Sequence, residues 1–239
     1  MASGQKSKKQ YESVDASPVK SFFVTMLTRD ISLSDAILDL LDNCVDGILR
    51  KKKNASGKKP YKGYYAEISY DSKSFQIHDN CGGIPLSLHE YAFRMGRPDN
   101  RLETSKGTVG TYGIGMKRAI FKIGRECLIS SRAGRDEYEV AISSDWLDDE
   151  DEWKIPVKST KNSMKEDGTT IVVGGLDEGI STRFGKEKEA FTSDFKEMVS
   201  THYAVIISKG FEVRINGLPV NPKPIEFVFS EKAPKEKTI

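Results

Sequence analysis

No stretch of this 239-residue chain approaches the length of apolar sequence, about eighteen residues, that a membrane-crossing helix needs, so none is expected. Cysteine is scarce. Cys44, Cys81 and Cys127 are scattered, odd in number and without metal-ligand spacing. Neither a zinc site nor a disulfide framework follows from them, and a reducing, cytoplasmic setting is the simplest expectation. The basic N-terminus, MASGQKSKKQ, has no apolar run behind it and does not read as a secretory signal. Charge of one sign is also missing: 37 Lys and Arg stand against 35 Asp and Glu, a net +2 that by itself is no argument for nucleic acid. No internal repeat is visible. What remains, 37% hydrophobic and 30% charged, reads as a soluble globular chain long enough to bury a real core.

Residues 1–18 are polar and rich in Lys and Ser, and are expected to form a mobile tail. Residues 230–239 read as a second tail or a linker, which leaves one domain over 19–229. Helical periodicity predicts a helix over Leu33–Arg50, followed by a basic loop, KKKNASGKKPYKG. Strands are predicted at Tyr64–Tyr70 and Ser74–His78, and a helix or loop over Leu86–Arg97. A Gly-rich loop and a helix over Gly115–Ile123 come next. Further strands are predicted at Glu126–Ser131, Glu137–Ser143, Lys154–Val157 and Thr169–Val173. A helix over Phe191–Ile206 precedes a last strand, Phe211–Ile215, and an Asn216-Gly217 turn. Strands and helices mixed without regular βαβ alternation indicate an α+β fold with helices on one face of a single sheet.

Four segments bear chemistry. On the first helix, Asp35, Asp39, Asp42, Asn43 and Asp46 fall within roughly a 100° arc, opposite Leu33, Ile37, Leu40, Leu41, Cys44 and Ile48. A solvated face is the plain reading. Against it, Asp39, Asp42 and Asp46 repel one another with no Lys or Arg among them, a cost that a divalent cation would remove. Next, QIHDNCGGIP carries Asp79 to a strand end, where a carboxylate can accept from an exocyclic amine; an ordinary Asp-Asn-Gly turn is the alternative. In KGTVGTYGIGMKRAIFKIG, Gly107, Gly110, Gly113 and Gly115 precede a helix whose N-terminus suits phosphate, with Lys106, Lys117 and Arg118 adding charge. The spacing is not that of a Walker A loop, and a Rossmann reading fails because Arg118 stands where its third Gly belongs. Last, DGTTIVVGGL opens a strand with Gly168-Thr169 and Thr170, where a hydroxyl at the strand start could hold a base.

Taken in order, the four segments resemble the ATP site of the GHKL superfamily, that of gyrase B, the ninety-kilodalton heat-shock chaperones, histidine kinases and MutL. The resemblance implies a Bergerat fold: a two-layer α/β sandwich with a mixed, mostly antiparallel sheet. It implies ATP and Mg²⁺ as cofactors. Asn43 matches the magnesium-binding Asn, and Asp39 lies where the general-base Glu belongs. Asp79 matches the adenine-reading Asp and Gly83 the second glycine of that motif, with Cys81 at the first. Gly110, Gly113 and Gly115 match the phosphate-binding lid, which runs from Arg94 to Gly115, and Thr169 the adenine contact. Asp46 and Lys106 join the expected nucleotide-binding set. Aspartate for glutamate shortens the base by about 1.5 Å, which puts hydrolysis in question.

The resemblance implies a slow Mg²⁺-dependent ATPase, a hydrolase whose lid closure drives homodimerisation or binding of a protein partner within a larger complex. The apolar run Ser21–Leu27, SFFVTML, reads either as an exposed strand exchanged between protomers or as a buried strand or helix of the same domain. A non-hydrolysing nucleotide sensor is the alternative. A histidine kinase catalytic domain is disfavoured, because His78, His89 and His202 all lie inside the domain and no phosphoacceptor helix precedes it. The segment Phe191–Pro222 is closer to the Microrchidia, MutL and chaperone side. The basic stretch Lys51–Lys62 leaves a nucleic-acid partner open, with a solvated loop preferred.

Overall fold

The computed structural model describes residues 19–52, 56–94 and 114–223. Both tails expected at the chain ends lie outside them. Eight strands form one mixed sheet: β1 (Tyr65–Tyr70), β2 (Phe75–Asp79), β3 (Gly124–Ala133), β4 (Asp136–Ile142), β5 (Val157–Ser159), β6 (Gly168–Leu176), β7 (Glu212–Ile215) and β8 (Leu218–Pro219), in the order β5-β4-β3-β6-β2-β1-β7-β8. Only β1 and β7 run parallel; the other pairs are antiparallel. The α+β class read from the sequence is the one observed.

Register explains where the core lies. Ile215, Ile68, Ile77, Ile171, Ile129 and Val140 stand in one row across six strands, all on the buried face. Alternation carries the intervening residues, Glu67, His78, Thr170 and Ser130 among them, to the other face. Two residues along the buried face, the row becomes Val213, Ala66, Asp79, Thr169, Ser131 and Tyr138. One end of an apolar face therefore turns polar, and a site can form there without breaking the core.

The helices are α1 (Lys20–Thr28), α2 (Leu33–Lys51), α3 (His89–Phe93), α4 (Gly115–Ile123), α5 (Ser144–Asp148), α6 (Glu178–Phe184), α7 (Lys188–His202) and α8 (Ala204–Ser208). Ser32 caps α2: its Oγ accepts from the Asp35 N–H at 3.1 Å and donates to the Asp35 carboxylate at 2.7 Å. The apolar stripe expected on this helix is buried.

The segment Ser21–Leu27 is a helix of this domain, one of the alternatives open for it, and the bounds of two other elements differ from expectation. Lys20, Phe23, Val24, Leu27 and Thr28 turn inward at spacings of three and four, while Val19, Phe22 and Met26 stay exposed. The strand expected at Lys154–Val157 begins only at Val157, because Pro156 has no N–H to give to a ladder. The helix expected over Phe191–Ile206 breaks at Tyr203, which leaves the helical region and separates α7 from α8.

Lys20 holds α1 in place. Its side chain is fully buried, and the ammonium donates to the carbonyls of Trp146 (2.5 Å), Glu152 (2.6 Å) and Asp149. It also lies 4.0 Å from the centre of the Trp146 ring. A buried charge survives only when its donors are all used, and here they are. Lys20→Met removes the donors and strands three carbonyls. It should lower stability by about 2–3 kcal/mol and expose α1 to proteolysis first. Urea denaturation with limited trypsin digestion checks this; an unchanged midpoint would show that Lys20 is no anchor.

Candidate functional site

The site is built where α2 crosses the polar row of the sheet. Gly47 makes the crossing close: a Cβ there would lie 2.7 Å from the Cys81 carbonyl oxygen. Asp46, next to it, is buried, and one turn earlier Asn43 faces out. The Asn43 Nδ2 donates to the Asp39 carbonyl at 2.8 Å, which orients the amide with Oδ1 as its acceptor. Among the described residues no three His, Cys, Asp or Glu converge as a metal cluster. A cation held here would take Asn43 Oδ1 and fill its remaining positions from phosphate and water, which suits Mg²⁺.

Asp79 ends β2 and pairs with Thr169 at the start of β6. Both are buried. Gly168 allows the pairing, since a Cβ on it would fall 1.9 Å from the Asp79 carbonyl oxygen. Asp79 Oδ1 accepts the Cys81 N–H at 2.7 Å. The chain then turns at Gly82 and Gly83, with φ of 118° and 67°. A side chain on Gly83 would also strike the Arg132 carbonyl oxygen, at 2.0 Å. Cys81 itself is not among the residues of positive φ, so a side chain is tolerated there, and its thiol is buried. The left-handed positions belong to the two glycines after it.

Two residues that sequence reasoning passed over secure this turn. Ser131 Oγ accepts from the Ile84 N–H at 2.8 Å, and the Tyr138 hydroxyl donates to the Ile84 carbonyl at 3.0 Å. Their signal lay in strand register, since both share the Asp79 row.

Of the lid, Lys106, Gly107, Gly110 and Gly113 lie outside the described residues. Gly115 opens α4 and faces Asp39: a Cβ on it would sit 3.5 Å from the carboxyl carbon. From the same helix the Arg118 guanidinium reaches Asp39 Oδ2 with Nη2 at 2.6 Å and Nε at 3.2 Å. Lys117 turns away, buried, and donates to the Ala92 carbonyl at 2.8 Å. It ties the end of α3 to the start of α4. Asp42 lies on the other flank of α2, where it accepts the Tyr203 hydroxyl at 2.6 Å. Burial there raises its pKa, partly offset by that hydrogen bond. A cleft of about 470 Å³ opens on that flank between α2 and α8 and shares none of the candidate nucleotide residues.

A family model described as "Histidine kinase-, DNA gyrase B-, and HSP90-like ATPase" matches residues 31–170, more than half of the chain. The chain belongs to the GHKL ATPase family. It is accordingly an ATP-binding domain of that family, and the match runs from the start of α2 through the first strand residues of β6. No curated protein matches the sequence significantly. Among the described residues of this GHKL domain no helix is long and apolar enough to cross a membrane.

Burial lifts the Asp79 pKa from 3.8 to about 6, against the Cys81 N–H bond that pulls it down. Between those two values the folded chain holds a proton that the unfolded chain has released. Stability from this group is therefore full below about pH 4 and lost as pH rises through 6, a change of about 3 kcal/mol. Asp79→Asn keeps the shape without the titration. Urea unfolding of both proteins between pH 4 and 7 should show the variant gaining on the wild type as pH rises; parallel curves would show that Asp79 is not a strained buried acid.

Proposed function

We propose that this domain is a slow, Mg²⁺-dependent ATPase in which Asp79 and Thr169 hold adenine, Asn43 ligates the metal, and the lid glycines Gly110, Gly113 and Gly115, with Lys106, carry the phosphates. Asp46 completes the binding set, with Gly83 giving the base room to approach. The observation that carries this reading is the pairing of Asp79 with Thr169 beneath α2, with bare glycines at 83 and 168 and the Asn43 amide already oriented. Bound magnesium would neutralise phosphate charge. Asp39 would orient the attacking water. Closure of the lid over the triphosphate would then favour self-association or a protein partner. The helices α7 and α8 followed by β7 and the Asn216-Gly217 turn support a place on the Microrchidia, MutL and chaperone side of the family.

A non-hydrolysing sensor is the second reading, favoured by one observation: the Asp39 carboxylate is already engaged by Arg118. Calorimetry and steady-state phosphate release separate the two. Wild type should bind Mg·ATP, and Asp79→Asn should lose about tenfold or more in affinity, since a mispaired buried polar contact costs about 1–3 kcal/mol. Asp39→Asn should bind ATP normally and release phosphate no faster than the Asn43→Ala blank. Equal ATP affinity for wild type and Asp79→Asn would remove the adenine assignment; turnover unchanged in Asp39→Asn would put the active carboxylate elsewhere.

A further inference from the structure

The cluster that the ATPase reading does not use is the guanidinium of Arg118. We infer that Arg118 is the positioning residue for the Asp39 carboxylate and lets a short aspartate do the work of the family's glutamate. The inference rests on the ATPase reading above.

Two hydrogen bonds from one side chain end on a single oxygen. Nη2 and Nε of Arg118 both reach Asp39 Oδ2. Oδ1 accepts no hydrogen bond among the described residues and is left for water. The carboxylate cannot turn without breaking both bonds, so its free oxygen has one direction. Gly115 lies beside the carboxylate, at a distance where even an added Cβ would make only ordinary van der Waals contact with it, at 3.5 Å. The Arg118 N–H is itself held by the Ile114 carbonyl at 2.8 Å, so the fork stands on a formed helical turn.

Stability does not account for the pair. The side chains are 34% and 24% exposed, and an ion pair in contact with water contributes little to folding. What a two-pronged guanidinium supplies over a solvated ammonium is fixed geometry. Fixed geometry is what a shortened base needs. A glutamate reaches its water on a longer side chain and can adjust, whereas an aspartate, about 1.5 Å shorter, must be aimed by something else. Misplacement on that scale costs about a hundredfold in rate.

The test is a double-mutant cycle between Arg118→Gln and Asp39→Glu, with Arg118→Lys as the conservative variant. ATP affinity comes from calorimetry, kcat from phosphate release, and folding from thermal unfolding. Arg118→Gln should lower kcat by about ten- to a hundredfold with ATP affinity and melting temperature nearly unchanged. Arg118→Lys should recover part of the loss. In the Asp39→Glu background Arg118→Gln should change kcat little, because the longer acid no longer needs aiming. Equal losses in both backgrounds would overturn the inference, as would a loss of ATP affinity with kcat intact, which makes Arg118 a phosphate ligand, or a rise in kcat, which makes it a restraint. Wild type that binds ATP without turnover also overturns it, leaving the nucleotide site standing. Wild type that binds no ATP brings down the ATPase reading itself, and the calorimetry tells these cases apart.

Discussion

Backbone contact between α2 and the turn after β2 is the constraint on which the rest depends. Gly47 and the Cys81 carbonyl meet at a distance that admits no side chain, and Gly168 meets the Asp79 carbonyl still more closely. These contacts set the helix and two strands at a spacing fixed by main-chain atoms, which do not adapt as side chains do. Asp79, Thr169, Asn43 and Asp39 then come to their places as consequences of register along β2 and β6 and of the 3.6-residue turn of α2. A larger residue at 47 or 168 would separate these elements before it touched any functional group.

The acidic stripe on α2 shows how such a frame is made affordable electrostatically. Read as sequence, the like charges at 39, 42 and 46 argue for a cation between them. In the folded chain each has a separate arrangement: Asp39 takes Arg118, Asp42 takes the Tyr203 hydroxyl, and Asp46 is buried, while Asp35 closes the cap with Ser32. Repulsion among them persists, since Asp39 and Asp46 both push the Asp42 pKa up, yet these partners weaken it as support for a metal. The better support is local, the Asn43 amide whose nitrogen is committed to the Asp39 carbonyl.

How far the chain could be read without coordinates follows from the range of the contacts involved. Helices α2 and α4 were legible to within a residue at each end, because periodicity and the glycines at the ends of α4 are local signals. The Asp79 turn and the Thr169 strand start were legible too, through glycines that only close approach requires. Arg118 was read only as local positive charge, since its partner is 79 positions away. Lys20 is decided by carbonyls more than 120 residues on, and the helix it anchors carries a β-branched and aromatic run whose strand propensity is overridden by packing. Ser131 and Tyr138 have no motif at all; only sheet register puts them on the row that ends in Asp79.

The same kind of long-range contact gathers on the first turn of α4. Lys117 fastens the start of α4 to the Ala92 carbonyl near the end of α3. One residue on, Arg118 carries the grip on Asp39, and two residues before Lys117, Gly115 lies beside the same carboxylate. The first turn of α4 carries the anchor and the fork within four residues, while Asp79 and Thr169 are held by strand pairing and close glycine contacts. The Asp39 carboxylate is therefore fixed from two sides, by the backbone of α2 that carries it and by the Arg118 fork from α4.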